Sequence, residues 1–352
     1  MINKYLEYLK NYDGADVTIM EVCGSHTAAI AKSGIKSVIS PKIHLVSGPG
    51  CPVCVSPSGY VDKLIDLALN QGITIVTFGD LLRIPGSKYT LNEIKGQGAA
   101  VEMVYSPMDM IELAQNNPDK QYVFGAVGFE TTIPVYTLLL DLIIDKKLEN
   151  VRILTALKCM PPVIDWLCTN GAHIDGFIAP GHVSVITGSK AYEPLSDKYE
   201  IPFGITGFSP KELVAGIYGI VKLLENKDKY KGQSGALVRN FYTSVVTDEG
   251  NTMALEKIDH YFEHGSAVWR GMGNIADSGL YLRKEYEKYD AGSRNLDDDK
   301  KINSACKCDQ VLMGKITSKE CPLFGKVCSP LNPQGACMVS SEGSCYQNYL
   351  NK

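Results

Sequence analysis

The chain has 352 residues, 45% of them hydrophobic and 21% charged, proportions that are typical of a globular protein with a large core. Its formal net charge of -4 disfavours nucleic acid as a partner, because proteins that bind phosphate backbones usually carry an excess of basic residues. The first residues are too polar for a secretory signal, and the longest apolar run, TLLLDLIIDKK, is broken by two aspartates. We therefore expect a cytoplasmic protein with no membrane partner.

Strand and helix patterns alternate between Asp16 and Asn226. The predicted strands are DVTIMEV, KIHLVSG, ITIVTFGD, QYVFGAV, RILTAL and IDGFIAP. The predicted helices include VDKLIDLALNQG, TIPVYTLLLDLIIDKK, PPVIDWLCTNG and SPKELVAGIYGIVKLLEN. This alternation predicts an α/β protein with open, mostly parallel sheets.

Two pairs of similar segments occur in the same order within this part of the chain. VCGSHTAAI, from Val22, resembles VGFETTIPV, from Val127, and SGPGCPV, from Ser47, resembles IAPGHVS, from Ile178. A duplication explains both pairs and predicts two similar α/β domains, over residues 1–119 and 120–235. Residues 236–352 are predicted to form a helical linker followed by a small cysteine-rich region.

Cys23 and His26 lie in the motif CGSH, directly after the first predicted strand. In open parallel sheets the carboxyl ends of the strands face the ligand crevice. Gly24 permits a tight turn there, and a thiol at the start of the following helix is expected to have a lowered pKa. The alternative is a buried cysteine and a surface histidine beside a turn.

Cys51 and Cys54 lie in GPGCPVC, again directly after a predicted strand. Their spacing is typical of a dithiol/disulfide couple or of half a metal site. Gly50 and Pro52 shape the loop, so we expect both sulfur atoms to be presented rather than buried. A zinc site shared with the CGSH residues is an alternative, because cysteine and histidine are both zinc ligands.

Glu130 and Thr131 lie in GFETT, and His182 lies in PGHVS, each at the end of a predicted strand. Backbone amides at a helix start bind anions, and Glu130 is a candidate base or ligand. Alternatively, a threonine of GFETT caps the helix beside a nearby acid, and His182 is an ordinary loop histidine.

Six of the eleven cysteines lie near the C-terminus, at Cys306, Cys308, Cys321, Cys328, Cys337 and Cys345. Clustered thiols form disulfides or bind a soft metal or an iron–sulfur cluster, and a reducing cytosol favours metal or redox roles. Four thiolates suffice for a [4Fe–4S] cluster, and zinc is the structural alternative. Two sulfurs one residue apart seldom bind one cubane without strain, so we favour Cys308 over Cys306 as a ligand.

Together, CGSH, GPGCPVC, GFETT, PGHVS and the tail CPLFGKVCSPLNPQGACMVSSEGSC resemble the HypD family of hydrogenase maturation factors, from about Glu21 to Tyr346. The resemblance implies two α/β domains flanking a cleft and a C-terminal region that binds a [4Fe–4S] cluster. It also implies a scaffold on which the Fe(CN)2CO unit of [NiFe]-hydrogenase is assembled. The implied partners are a HypC-like small chaperone and a HypE-like cyanide donor.

Carried over by position, the resemblance implies that Cys23 binds the scaffolded iron together with a cysteine of the HypC-like partner. Cys51 and Cys54 would be a redox-active thiol pair near that iron. The family's first motif often continues to a second histidine, where this chain has Ala28, so that histidine's role is absent here or is met by another group. The other predicted site residues are His26, Glu130 and His182 in the cleft, and Gly24, Gly50 and Thr131 at the bound group.

Two functions of other classes stay open from the sequence. One is a stand-alone iron–sulfur thiol–disulfide oxidoreductase with Cys51 and Cys54 as its active couple. The other is a non-catalytic zinc protein that serves as an interaction module. The sequence does not decide whether the chain is an enzyme in its own right.

Overall fold

The computed structural model describes residues 2–294, 296, 299–300 and 303–351. Its strands are β1 (Val17–Glu21), β2 (Ile43–Ser47), β3 (Thr74–Thr77), β4 (Val101–Met103), β5 (Tyr122–Gly128), β6 (Val151–Lys158), β7 (Gly176–Ala179), β8 (Phe203–Ile205), β9 (Val238–Asn240), β10 (Phe262–Trp269) and β11 (Gly273–Leu282).

The α-helices are α1 (Ile2–Lys10), α2 (Gly24–Ser33), α3 (Ile35–Val38), α4 (Ser58–Asn70), α5 (Gly79–Leu82), α6 (Leu91–Gly96), α7 (Asp109–Asn116), α8 (Ile133–Asp145), α9 (Met160–Asn170), α10 (Gly181–Thr187), α11 (Glu193–Tyr199), α12 (Pro210–Glu225), α13 (Thr252–Tyr261), α14 (Cys308–Leu312) and α15 (Ser344–Leu350). Short 3-10 helices cover Lys190–Tyr192, Lys227–Tyr230, Lys284–Tyr289, Ser318–Glu320 and Ala336–Met338. No helix in the described ranges has both the length and the apolar character needed to cross a membrane.

The strands form two sheets. The first has the order β2-β1-β7-β8-β9 and is parallel throughout. The second has the order β10-β11-β6-β5-β3-β4; its β3–β6 part is parallel, and the β10–β11 hairpin adds an antiparallel edge. Every residue of β5 is buried, as expected for a parallel strand that helices cover on both faces. The prediction of an α/β protein with mostly parallel sheets is confirmed.

The predicted boundary between residues 119 and 120 does not separate these sheets. The first sheet combines β1 and β2 with β7 and β8, and the second combines β3 and β4 with β5 and β6. The chain therefore leaves the first sheet after β2 and returns to it at β7. Parallel strands are joined by long crossovers, so the order of elements along the chain does not reveal which sheet a strand enters.

Residues 236–294 differ from the predicted helical linker, because this segment contributes three strands. β9 pairs with β8, and β11 pairs with the end of β6, where Gly279 lies opposite Lys158. Only α13 is an α-helix within this segment. The hairpin turn contains Gly271 and Gly273, at φ values of 73° and 82°, a conformation that glycine adopts without strain.

The C-terminal segment packs across the start of α2. A Cβ atom placed on Gly24 would lie 2.5 Å from Cβ of Glu342, so the two backbones approach as closely as a glycine allows. On the other side, Ser340 donates a hydrogen bond to Asp80, which follows β3 of the second sheet. The tail therefore contacts the carboxyl edges of both sheets.

Candidate functional site

Three of the four motifs follow neighbouring strands of the first sheet. CGSH follows β1, GPGCPVC follows β2, and PGHVS follows β7, and these strands lie side by side in the order β2-β1-β7. The fourth motif, GFETT, follows β5 of the second sheet. The repeated segments therefore do not occupy equivalent positions in two halves, because PGHVS shares a sheet with CGSH and GPGCPVC.

Cys23 connects β1 to α2 in an extended conformation and is only 8% exposed. Burial raises the pKa of its thiol to about 12, although the backbone N–H groups of His26 and Ser25 donate to the sulfur and oppose that rise. The predicted lowering of this pKa is wrong. The first amides of a helix stabilise a thiolate, but here the loss of water outweighs them.

Glu21 is the last residue of β1, and its side chain bonds to the backbone of Cys23. Its carboxylate accepts the Cys23 backbone N–H at 3.1 Å and the hydroxyls of Thr27 and Ser47. The residue is 2% exposed, and burial raises its pKa to about 7. Sequence reasoning missed Glu21; the available signal was an acid at the end of an otherwise apolar strand, two residues before a cysteine.

The GPGCPVC loop lies directly on the backbone of Cys23. Gly24 donates its N–H to the carbonyl of Gly50 at 2.9 Å. Cys51 and Cys54 are joined by a disulfide with a Cα–Cα distance of 5.2 Å, and the two residues are 2% and 0% exposed. The expectation that these sulfurs are presented is wrong, because the loop is folded inward against Cys23 rather than outward into solvent.

The imidazole of His26 contacts the loop that follows β8. Its Nε2 lies 3.2 Å from the carbonyl oxygens of Thr206 and Gly207, after β8, and burial lowers its pKa to about 4. Within the described ranges, its buried Nδ1 has no hydrogen-bond partner. With His26 turned to β8 and both loop sulfurs in a disulfide, the shared CGSH–GPGCPVC zinc site is not formed in this structure.

His182 is exposed on α10 and belongs to the same edge as His26. The ring of Phe208 lies between the two histidines, 4.6 Å from His26 and 4.2 Å from His182, measured between ring centroids. Partial burial lowers the pKa of His182. The structure therefore brings the two predicted cleft histidines together through an aromatic ring that sequence reasoning did not identify.

Glu130 is 6% exposed at the end of β5. Its Oε1 accepts the backbone N–H of Met160 at 2.8 Å, while its buried Oε2 has no hydrogen-bond partner among the residues that the structure describes. Burial raises its pKa to about 7. Thr131 is half-buried, and α8 is capped at Thr132 without a side-chain hydrogen bond, so the predicted threonine cap is not observed.

Tyr192 interacts electrostatically with residues that follow strands of both sheets. It is fully buried, and burial raises its pKa, with further contributions from the negative charges of Glu130 and Cys23. Its hydroxyl accepts a hydrogen bond from Ser184 at 3.2 Å. No motif in the sequence indicated that Tyr192 interacts electrostatically with both the predicted acid and the predicted iron ligand.

Lys158 is a second residue that sequence reasoning missed. It closes β6, is 2% exposed, and donates from Nζ to the carbonyl of Val268 at 2.7 Å. The amine also lies 5.1 Å from the centre of the Trp269 ring. Burial lowers its pKa to about 7.

The tail cysteines form one interacting group. Cys306 hydrogen-bonds to Cys308, and Cys308 to Cys337, and the bond to Cys308 raises the pKa of Cys306. Burial raises the pKa of Cys345, as does charge on Cys308. Both sulfurs of the C-x-C pair face the same group, so the preference for Cys308 over Cys306 stays a prediction.

The donor chemistry of this group fits an iron–sulfur cluster. Burial raises the pKa of Cys328, and negative charge on Cys306 and Cys321 raises it further, so the free cysteines favour the neutral thiol, and thiolates gathered here would need a compensating cation. Soft, clustered thiolates are the ligands that such clusters take. Across the described part of the chain, no three His, Cys, Asp or Glu side chains surround a single point as a metal ion would require.

Replacement of Gly50 by alanine is expected to destabilise the protein by about 1–3 kcal/mol, the usual penalty for overpacking. The new Cβ would lie 2.5 Å from Cα and 2.6 Å from the carbonyl carbon of Cys23, and backbone atoms cannot rotate away. Chemical denaturation measures the change. Gly96→Ala is the control, since no atom lies within 4 Å of its Cβ position. Equal stability of the two variants would contradict the close packing of the loop on Cys23.

The fold and the site define an α/β protein in which a buried thiol, a disulfide and a six-cysteine tail are brought to the carboxyl edges of two sheets. The family model for HypD, described as the hydrogenase formation hypA family, matches residues 1–352. The chain therefore belongs to the HypD family, and its general role lies in hydrogenase maturation.

Individual relatives have the same general role in their names. The hydrogenase maturation factor HypD of Azotobacter vinelandii is 39% identical over 93% of this chain and 87% of its own length. The factor of the same name from Escherichia coli K12 is 38% identical over 93% of this chain and 87% of its own length. That of Rhodobacter capsulatus is 38% identical, with coverage of 94% and 88%.

Proposed function

We propose that the protein is the scaffold and a redox component for assembly of the Fe(CN)2CO unit of [NiFe]-hydrogenase, acting with a HypC-like chaperone and a HypE-like cyanide donor. One observation carries the proposal: the loop that holds the Cys51–Cys54 disulfide lies on the backbone of Cys23 at the carboxyl end of one parallel sheet. Family membership supplies the setting of hydrogenase maturation.

The Cys23 thiol has the chemistry that the iron substrate requires. Low-spin iron with cyanide and carbon monoxide ligands favours soft thiolate donors. Because burial raises the pKa of Cys23 to about 12, the free protein holds a neutral thiol, and iron binding would release its proton. Glu21 fixes the cysteine backbone through the N–H bond, so the sulfur is held ready for the metal.

An open depression beside α2 adjoins Gly24 and Ser25, the two residues that follow Cys23. It has a volume of about 510 Å³ and is lined by residues that include Gly24, Ser25, Phe208 and Glu342. A small chaperone that contributes one cysteine to the iron would need to approach Cys23 at this place. A cleft that is closed by a bound partner also protects labile ligands from water.

The Cys51–Cys54 couple is suited to electron exchange within the protein. The disulfide would accept two electrons, one at a time from a reduced iron–sulfur cluster in the tail, and two protons, and would become two thiols in the loop on the Cys23 backbone; the dithiol is the form that can supply electrons. A stand-alone thiol–disulfide oxidoreductase is disfavoured by the same geometry, because attack by the thiolate of another protein requires an accessible sulfur. Here the two residues are 2% and 0% exposed.

The tail would hold the resident [4Fe–4S] cluster through four of Cys308, Cys321, Cys328, Cys337 and Cys345. Such a cluster supplies one-electron transfer when it is bound. The tail residues themselves place Glu342 against Gly24 and Ser340 against Asp80, which keeps the cysteine group beside the sheet edges.

The proposal is tested by infrared spectroscopy of the complex with a HypC-like partner, purified anaerobically from cells that make the other maturation factors. We expect stretching bands of metal-bound cyanide and carbon monoxide, and a brown protein. A complex without these bands would contradict the scaffold function. A colourless protein with stoichiometric zinc after anaerobic reconstitution would instead identify the zinc-binding interaction module.

A further inference from the structure

Arg270 lies at the tip of the β10–β11 hairpin, between the disulfide loop and the cysteine-rich tail. Its backbone N–H donates to the carbonyl of Val55, the residue after Cys54, at 2.8 Å. The left-handed conformations of Gly271 and Gly273 form the tight turn that carries this arginine. The β10–β11 hairpin, which the sequence did not predict, thus contacts the loop of Cys51 and Cys54.

The guanidinium group adds two further bonds on the loop side. Nε donates to the carbonyl of Ser56 at 2.6 Å, and Nη2 donates to the carbonyl of Pro85 at 2.9 Å. The arginine side chain is only 12% exposed. The planar guanidinium therefore fixes two separate stretches of backbone, a function that the single ammonium of lysine does not reproduce.

Asp299 is the acidic neighbour of Arg270, with an N–O distance of 4.0 Å. Its carboxylate is occupied by other donors, since it accepts the N–H groups of Ser58 at 2.9 Å and of Gly271 at 3.0 Å. The Asp299 carboxylate thus connects the hairpin to the start of α4. It neutralises the buried positive charge of Arg270 only partly.

The other face of the hairpin contacts the tail. A Cβ atom on Gly271 would lie 2.6 Å from Cβ of Asp309, so the turn packs directly on α14. Arg270 shares a cavity with Cys306 and Cys308. Burial lowers the pKa of Arg270, and the negative charges of Asp299, Cys308 and Cys337 oppose this shift.

The cysteine group lies beside the same cation. Gly335 and Ala336, directly before Cys337, line the cavity that Arg270 shares with Cys306 and Cys308. Arginine keeps its charge when buried, and little water is present to screen it. A redox group at these cysteines becomes more negative by one charge on reduction, so a fixed cation beside it favours the reduced state.

We propose that Arg270 is a positioning residue that anchors the Cys51–Cys54 loop to the hairpin and, through its charge, raises the reduction potential of the iron–sulfur cluster at the tail cysteines. The second effect rests on the proposed function, because it requires the cluster. The anchoring does not, because it depends only on contacts of the polypeptide.

The charge effect is tested by redox titration of the reconstituted protein, in which dithionite supplies the electron and electron paramagnetic resonance follows the cluster. We expect Arg270→Gln to lower the one-electron equilibrium constant about tenfold, a shift of about 59 mV. Arg270→Lys should lower it less than about threefold, since the charge is kept. Asp299→Asn should shift it upwards, because it removes the opposing charge.

Arg152→Gln is the matched control, because Arg152 is exposed on β6. Equal potentials in Arg270→Gln and Arg152→Gln would overturn the charge effect. If Arg270→Gln does not fold, the reduction potential of Asp299→Asn is the deciding measurement. A potential in Asp299→Asn that equals the wild-type value or lies below it would overturn the charge effect. Wild-type protein that takes up no cluster would overturn both this effect and the cluster part of the proposed function.

The anchoring is tested independently on cluster-free protein by hydrogen–deuterium exchange. We expect amides in residues 51–58 to exchange about tenfold faster in Arg270→Gln, because the bond from the guanidinium Nε to the Ser56 carbonyl is lost. Arg270→Lys should show an intermediate gain, and Arg152→Gln none. If the amides of residues 51–58 exchange as slowly in Arg270→Gln as in the wild type, the anchoring is overturned, whatever the cluster experiment shows.

Discussion

Replacement of Cys23 by alanine is expected to abolish the cyanide and carbon monoxide bands in the infrared spectrum of the complex with the HypC-like partner. This is expected because the substitution removes the only thiolate that this chain is proposed to give to the iron. The sulfurs of Cys51 and Cys54 are not placed to replace it, because they are joined in a disulfide in this structure and the two residues are only 2% and 0% exposed. Cys23→Ser should retain at most a small fraction of the signal, since an alcohol is a harder and more weakly binding donor than a thiolate.

The control for this substitution is Cys168→Ala, which removes a half-buried thiol from α9, outside the site. Removal of one buried sulfur should change the free energy of unfolding by only about 1 kcal/mol in either variant. Denaturation curves of both proteins therefore separate a lost ligand from a lost fold. Bands that survive in a folded Cys23→Ala complex would show that Cys23 is not the iron ligand.

Replacement of Glu130 by glutamine is expected to change how stability depends on pH. Burial raises the pKa of Glu130 in the folded protein from 4.5 to about 7, so the folded state binds this proton more tightly than the unfolded chain. The associated stability is present below pH 4.5 and is lost as the pH rises through about 7. At about 1.4 kcal/mol per pKa unit, the loss amounts to about 3 kcal/mol, and glutamine cannot undergo it.

The measurement is the free energy of unfolding of Glu130→Gln and of the wild type between pH 5 and pH 8.5. From pH 5 to pH 8.5, the free energy of unfolding of Glu130→Gln should increase relative to that of the wild type by up to about 3 kcal/mol. Glutamine keeps the oxygen that accepts the Met160 N–H, so the bond at 2.8 Å is retained. The exposed Glu149→Gln is the control. Parallel curves for Glu130→Gln and the wild type would show that Glu130 is not buried with a raised pKa.

Much of the secondary structure was predictable because the parallel strands and the longer helices have strong apolar patterns. Each of the six predicted strands overlaps an observed one, namely β1, β2, β3, β5, β6 and β7, and the four predicted helices match α4, α8, α9 and α12. The strands β4, β8 and β9 were missed because three residues give too little pattern to detect. The β10–β11 hairpin was missed because its polar residues and glycines resemble a linker.

The sequence predicted candidate site residues, whose roles stay predictions, but it did not predict their pKa shifts. Strand-end motifs located Cys23, the C-x-x-C loop and Glu130, because functional groups gather where parallel strands end. The direction of the pKa shift at Cys23 depended on burial, which no local pattern shows. The sequence also gave no indication that Arg270, more than two hundred residues after Cys54 in the chain, contacts the disulfide loop.

By itself, the sequence determined the fold class and the membership of a hydrogenase-maturation family, and it predicted the cysteines that are proposed to carry the chemistry. Each of these rests on short-range information: apolar periodicity, motif spacing and residue type. Only the tertiary structure decided which strands share a sheet, that the Cys51–Cys54 disulfide is buried against Cys23, and that Arg270 contacts both the disulfide loop and the tail. These features depend on crossovers and on burial, which bring together residues far apart in the chain.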